Sequence, residues 1–362
     1  EDEDGLGTLS YQWLREVPYF SNTPFIHIST SETYTLVQDD VGSKILLNVN
    51  YTDGYNTTES VMSSATSTVT NVNDTPTGSI TISGTAREDE QLTASSTLED
   101  EDGLGTLIYQ WLRDGSDISG ATSATYTLVQ DDVGSAISVT ASYTDGGGTT
   151  ESVTSSATSN VTNVNDTPTG SITISGTARE DEQLTASSTL EDEDGLGTLS
   201  YQWLRDGSDI SGATSANYTL VQNDVGSAIS VAASYTDGGG TTESVTSSAT
   251  SNVTNVNDTP TGSITISGTA REDEQLTASS TLEDEDGLGT LSYQWLRDGS
   301  DISGATSANY TLVQNDVGSA ISVAASYTDG GGTTESVTSS ATSNVTNVND
   351  TPTGSITISG TA

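Results

Sequence analysis

The sequence has no cysteine, one histidine, one methionine and only eight basic side chains among 362 residues. Without cysteine there is no disulfide framework, no thiol catalysis and no thiolate metal site, and the redox compartment stays open. Seven arginines and one lysine face 51 acidic residues, a formal net charge of -43. Nucleic acids and anionic membranes are bound through clustered Lys and Arg, so neither is an expected partner. Apolar runs extend over a few residues only, which excludes a bilayer-spanning segment within this chain. It opens on EDEDG with no basic stretch leading into an apolar one, so any signal or anchor is expected outside it.

Repetition is what the sequence has in abundance. Trp13, Trp111, Trp203 and Trp295 all sit in YQWLR, spaced by 98, 92 and 92 residues. Residues 167–258 and 259–350 are identical, and 75–166 differs from them at four positions. Those are Ile108, Thr125, Asp131 and Thr140, replaced later by Ser200, Asn217, Asn223 and Ala232. A period of about 92 residues suits a whole small domain with its own core rather than a solenoid unit. The expected division is a divergent partial copy at 1–74 lacking its first two strands, full copies at 75–166, 167–258 and 259–350, and the first strand of a further copy at 351–362. An excerpt from a longer array is the expected reason for the partial ends; a fibre subunit whose last strand completes a neighbour is the alternative.

Within 167–258, period-2 alternation of Thr, Val, Ile and Tyr recurs between Gly, Asp and Asn punctuation, and helical periodicity is missing. Strands are expected at GSITISG, QLTASSTL, LSYQWLR, YTLVQ, AISVAASY and ESVTSSATSNVT, with a short fourth strand, D, in SDISGA. Two of the variable positions, 108/200 and 140/232, fall out of phase with the apolar residues of their strands, as expected for a solvent-facing side. Seven short strands and a Trp on the third point to an all-β tandem array of immunoglobulin-like, Greek-key β-sandwiches.

The acidic residues collect in turns and linkers. In such a sandwich the loops gather at two poles, so one copy's lower pole, the linker and the next copy's upper loops converge. Between the first and second copies this brings together Asn71, Asn73, Asp74, Glu99, Asp100, Asp102 and Asp145. Between the second and third it brings Glu88, Asp132, Asn163, Asn165, Asp166, Asp192, Asp194 and Asp237. Between the third and fourth it brings Glu180, Asp224, Asn255, Asn257, Asp258, Asp284, Asp286 and Asp329. Left unneutralised, these groups would drive adjacent copies apart. Ca²⁺, which takes about 6–8 oxygen ligands from carboxylates, amides and carbonyls, suits them. The competing reading is a solvated acidic surface. An EF-hand does not fit, because Gly195 as the loop glycine puts Leu190 in the first ligand position.

The linker NVNDTP resembles the D-x-N-D-N-x-P inter-domain linker of cadherins, and EDEDG offers the D-x-D of the following cadherin domain. Over essentially the whole chain the repeat is similar to the tandem Ig-like and cadherin-like repeats of giant secreted bacterial surface adhesins. That resemblance implies Ca²⁺ ligation by Asn165 and Asp166 with Asp192 and Asp194, and by their counterparts. It departs from the cadherin pattern at Asn163 and Thr167, and no D-R-E motif is present.

The single His27 and both phenylalanines, Phe20 and Phe25, lie in a six-residue expansion of the first copy. A drifted loop whose aromatics cap that copy is expected there, with a binding loop as the alternative. Near-identical repeats with one histidine are a poor setting for a catalytic triad, so no enzyme is expected. The sequons at Asn50, Asn56, Asn73, Asn160 and Asn217 are expected by chance in a chain this rich in Asn, Ser and Thr. The expected function is a non-enzymatic, extracellular, calcium-rigidified stalk or extender of a bacterial surface adhesin, with calcium ions and end-to-end neighbouring repeats as partners. The alternatives are a self-associating fibre or sheath subunit, and a glycan- or protein-binding module built on the first copy.

Overall fold

The computed structural model describes residues 1–17 and 24–360. It divides into two compact units, Glu1–Asp166 and Thr167–Ala362. In the second unit, the copy at 167–258 forms β1 (Ile172–Ser175), β2 (Gln183–Ser188), β3 (Ser200–Arg205), β4 (Ser208–Asp209), β5 (Asn217–Thr219), β6 (Ile229–Thr236) and β7 (Thr242–Thr246). The copy at 259–350 repeats them as β8 (Ile264–Ser267), β9 (Gln275–Ser280), β10 (Ser292–Arg297), β11 (Ser300–Asp301), β12 (Asn309–Thr311), β13 (Ile321–Thr328) and β14 (Thr334–Thr338). One antiparallel sheet has the order β1-β2-β5 and the other β4-β3-β6-β7. The chain crosses between sheets after β2, β4 and β5, which makes each copy a Greek-key, Ig-like sandwich.

Alternation along the strands puts one face of each sheet inside. Trp203, Leu184, Leu220, Ile229, Val231 and Ala233 are fully buried together with Ile172, Leu190, Tyr235 and Val253. Complete burial of each large apolar side chain contributes about 1.5–3 kcal/mol. Trp203 stacks on Tyr218 at 5.7 Å between centroids, and its indole N–H donates to the Ser215 carbonyl at 2.8 Å. The outward phase carries the differences between copies: Ile108, the counterpart of Ser200, is 63% exposed.

Two expected strands differ from what forms. The expected short fourth strand forms over Ser208–Asp209 only and pairs with β3. The cause is local: Asp206 and Gly207 both take positive φ, 48° and 80°, giving the two-residue hairpin turn that Asp-Gly favours and returning the chain beside β3. The last strand stops at Thr246 rather than running through ESVTSSATSNVT. Beyond it, Ser247 Oγ and Thr250 Oγ1 accept the β6 N–H groups of Val231 and Ile229 at 3.0 and 3.1 Å, substituting hydroxyls for backbone acceptors. The chain then leaves β6, and Val253 and Thr254 bridge in parallel to Val225 and Arg179.

The first unit contains the copy at 75–166, built on the same plan around Trp111, Leu92, Leu128 and Val139. It also contains the divergent first copy, a four-stranded sheet ordered Phe25–Ser29, Ser10–Glu16, Ile45–Thr52, Thr58–Met62. Its expanded segment forms an edge strand with Phe25 half-buried and His27 exposed, while Phe20 lies outside the described residues.

Candidate metal centre

The site is clearest where the two copies of the second unit meet. The parallel bridge between Arg179 and Thr254 is flanked by two backbone bonds, Thr254 N–H to the Ala178 carbonyl and Glu180 N–H to the Thr254 carbonyl, both 3.0 Å. They hold the β1–β2 loop against the chain just before the linker. Glu180, 2% exposed, accepts the Val256 N–H through Oε2 at 3.1 Å. Two residues on, Asp258 N–H donates to Asp286 Oδ2 at 2.8 Å, so the same linker is gripped by the following copy.

One carboxylate oxygen each from Glu180, Asp258 and Asp286 lie within 4.8 Å of one another. Ligands on opposite sides of a Ca²⁺ ion, each about 2.3–2.6 Å away, are about 4.6–5.2 Å apart, so the spacing fits one shared ion. Electrostatics favour a cation there. Burial pushes the Glu180 carboxyl above its ordinary range, the Val256 hydrogen bond opposes this, and Asp258 and Asp286 add to the rise. Asp258 is raised first by burial, then by Asp286, Asp181 and Asp284. The buried Arg ion pairs offer no relief, since Arg205 and Arg297 hold Asp224 and Asp316 inside their own copies.

A second acceptor lies beside the linker. Asp329, in the β13–β14 turn, accepts the Thr333 N–H on Oδ1 at 2.7 Å, while its Oδ2 is buried without a hydrogen-bond partner. Asp145 and Asp237 hold the same position and leave the same oxygen orphaned. The turn is fitted to its neighbours through glycine: a Cβ on Gly330 would lie 2.4 Å from the Asp286 carbonyl oxygen, and one on Gly331 2.6 Å from Asn255 Nδ2. A buried acceptor with no hydrogen-bond partner, in a turn packed against the Asp286 backbone, and a cluster of three carboxylates are oxygen donors of the kind a hard divalent cation takes.

The other expected ligands separate into groups. Asp102 is buried; its Oδ1 accepts Gln38 Nε2 at 2.8 Å and its Oδ2 the Asp74 N–H at 2.8 Å. Gln38 Nε2 also donates to Asn71 Oδ1 at 3.1 Å. Glu99 is exposed and, with Asp74 and Asp100, lines a depression of about 350 Å³. Asn73 and Asn257 donate their amides to Glu151 Oε1 and Glu335 Oε1 at 2.8 and 2.9 Å, so they act as linker latches. Asn165 Nδ2 donates to the Asp166 carbonyl, Glu88 Oε2 accepts the Val164 N–H, and Asn163 is half-buried. Asp194, 5% exposed, donates its N–H to Asp192 Oδ1 at 3.0 Å, as Asp286 does to Asp284.

Asp132 and Asp224 need correcting. Both are fully buried in their own sandwiches, away from solvent. Asp224 accepts from Arg205 Nη2 at 2.7 Å, Tyr218 Oη at 2.8 Å and the Val221 N–H at 2.9 Å; Asp132 accepts from Arg113, Tyr126 and Val129 in the same way. These carboxylates close the turn before the sixth strand, and the arginine in YQWLR is their counter-ion.

Three junction residues escape a reading by sequence position. Gln38 looks like a strand end, Glu335 like a surface residue of the last strand, and Tyr327 like one more inward core residue. The only signal for them is position: Tyr327 and Glu335 lie next to strand ends and Gln38 opens a 3-10 turn, where the pole begins.

No protein-family model matches the sequence, and no curated protein matches it. Solved structures do. The chain is similar to tandem adhesin and cadherin arrays. A structure described as a Ca²⁺-stabilized adhesin with which an Antarctic bacterium reaches out and binds ice is 14% identical, over 94% of this chain and 91% of that one, with a TM-score of 0.32. A structure from a 1.5-MDa bacterial ice-binding adhesin is 14% identical over 72% and 91%, TM-score 0.24. A protocadherin gammaB7 EC3-6 structure is 14% identical over 92% and 94%, TM-score 0.29.

Proposed function

We propose that this chain is a non-enzymatic extracellular stalk, an extender segment of a bacterial surface adhesin, whose junctions are stiffened by Ca²⁺. The observation that carries the reading is the convergence of Glu180 from one copy, Asp258 from the linker and Asp286 from the next copy. The orphaned Oδ2 of Asp329 supports it. Glu180, Asp258 and Asp286 would hold the ion, with Asp329 and Asn255 as further oxygen donors; the ion would supply the positive charge that lets these carboxylates stay close.

The mechanism is mechanical. An ion that binds only the docked junction stabilises it by RT ln(1 + [L]/Kd). Extracellular calcium modules bind at about 10⁻⁴–10⁻³ M, so the junctions are filled outside a cell and empty inside one. The neutral faces fit a spacer: the outward side of β6 and β7 presents Ala232, Ser234, Thr246 and Ser244, while the carboxylates sit at the poles. The test is thermal unfolding of the full chain in millimolar CaCl₂ and in excess EDTA. Ca²⁺ raises the melting temperature by several degrees if the reading holds; superimposable curves make the acidic loops a solvated surface.

A further inference from the structure

The strand that ends at each junction carries a buried tyrosine whose ring belongs to the core and whose hydroxyl does not. Tyr327 is 3% exposed and is the last inward residue of β13. A phenylalanine would fill the same space, yet the Tyr327 hydroxyl donates to Asp284 Oδ2. The bond recurs from Tyr235 to Asp192 and from Tyr143 to Asp100, both at 2.5 Å. The divergent first copy makes it too, from Tyr51 to Asp2 at 2.8 Å.

From Asp284 the hydrogen bonds run onward to the linker. Asp284 Oδ1 accepts the Asp286 N–H at 3.0 Å, and Asp286 Oδ2 accepts the Asp258 N–H at 2.8 Å. Across the hairpin, Tyr327 stands opposite Glu335, and Glu335 Oε1 accepts the amide of the linker residue Asn257 at 2.9 Å. One rung of β13 and β14 therefore holds the acidic loop through Tyr327 and the linker through Glu335. Both oxygens of Asp284 are engaged by protein donors, while Asp286 belongs to the carboxylate cluster.

We infer that Tyr327 is a positioning residue for the cation site: through Asp284, the first aspartate of the D-x-D loop, it fixes Asp286, the second, as a ligand. In this arrangement Asp284 orients and Asp286 binds. Outer partners of metal ligands set ligand orientation, and losing one weakens metal affinity by about 10–100-fold. The inference rests on the calcium reading above.

The test is a double-mutant cycle in the full chain, read by calorimetric Ca²⁺ titration and by melting in EDTA. The first set is Tyr327→Phe, the second is Asp284→Ala, and the third joins both. Each single set is expected to weaken Ca²⁺ binding at that junction by about tenfold with little change in the metal-free melting temperature, and the combined set to weaken it no further. A purely structural tyrosine would lower the metal-free melting temperature and leave the dissociation constant unchanged. Unaltered affinity in the phenylalanine set, with binding at that junction abolished in the alanine set, would make Asp284 a direct ligand and overturn the inference. If the phenylalanine set does not fold, the alanine set probes the same bond from the loop side, and its loss of all binding at that junction overturns the inference equally. If the unsubstituted chain takes up no Ca²⁺, the calcium reading itself falls and the positioning role with it.

Discussion

Glu180 Oε2 accepts the backbone N–H of Val256, 76 residues later, at 3.1 Å. The bond exists because the chain leaves β7 early and returns in parallel beside the β1–β2 loop. It makes Glu180 both the acceptor that docks the linker and a member of the carboxylate cluster. Glu180→Gln keeps an acceptor for Val256 and removes one negative charge. Calorimetric titration of the full chain is expected to show Ca²⁺ affinity at that junction reduced by about tenfold, roughly 1.4 kcal/mol. Melting in EDTA is expected to be unchanged or slightly higher, because repulsion from Asp258 and Asp286 is relieved.

Asp224 has a different role and gives the opposite pattern. Removing one partner of a buried pair leaves the other charge uncompensated. Because the Arg205 side chain is about one-third exposed, the cost of Asp224→Ala falls at the lower end, about 3 kcal/mol. Differential scanning calorimetry is expected to show one copy melting earlier than the rest, with Ca²⁺ affinity at the intact junctions unaltered.

The turn glycine Gly330 admits no side chain, since a Cβ would meet the Asp286 carbonyl oxygen at 2.4 Å. Gly330→Ala pushes the acidic loop away from the β13–β14 turn that carries Asp329. The substitution is expected to lower both the melting temperature in EDTA and the Ca²⁺ affinity, whereas Gly332→Ala, with open space around its Cβ but φ at +93°, strains the turn alone.

Alkaline stability follows from Tyr218. Burial, then its hydrogen bond to Asp224, pushes its phenol up to about 12, from an unfolded value near 10. A raised folded value means the neutral phenol stabilises the fold fully below about pH 10, and that contribution disappears as pH rises through about 12. Tyrosinate absorbance and circular dichroism followed from pH 9 to pH 13 are expected to change together; ionisation of every tyrosine near pH 10 with the fold intact would contradict the placement of Tyr218.

Much of this was legible in the sequence. The sandwich plan recurs with the sequence repeat, period-2 alternation gave most of the strands, and the phase of Trp203 gave the buried face. The convergence of Glu180, Asp258 and Asp286 was legible because turn position alone sends a lower-pole loop, the linker and the next copy's upper loop to one junction. Asp132 and Asp224 were misplaced because their counter-ions, Arg113 and Arg205, lie 19 residues away on another strand, a pairing that turn position does not reveal. Tyr327 stayed hidden for the reverse reason. Its phase marks it correctly as core, and nothing in a two-residue period says that its hydroxyl reaches past the core to Asp284. The pairing partner of the short fourth strand stayed open because Asp206-Gly207 was read as a turn without its hairpin geometry.

The central claim is that Ca²⁺ at the junctions stiffens the array, and small-angle X-ray scattering of the full chain tests it most directly. In millimolar CaCl₂ the maximum dimension and radius of gyration are expected to exceed those in EDTA, and the Glu180→Gln variant is expected to need more Ca²⁺ to reach the same extension. Identical scattering curves with and without the ion would contradict the account.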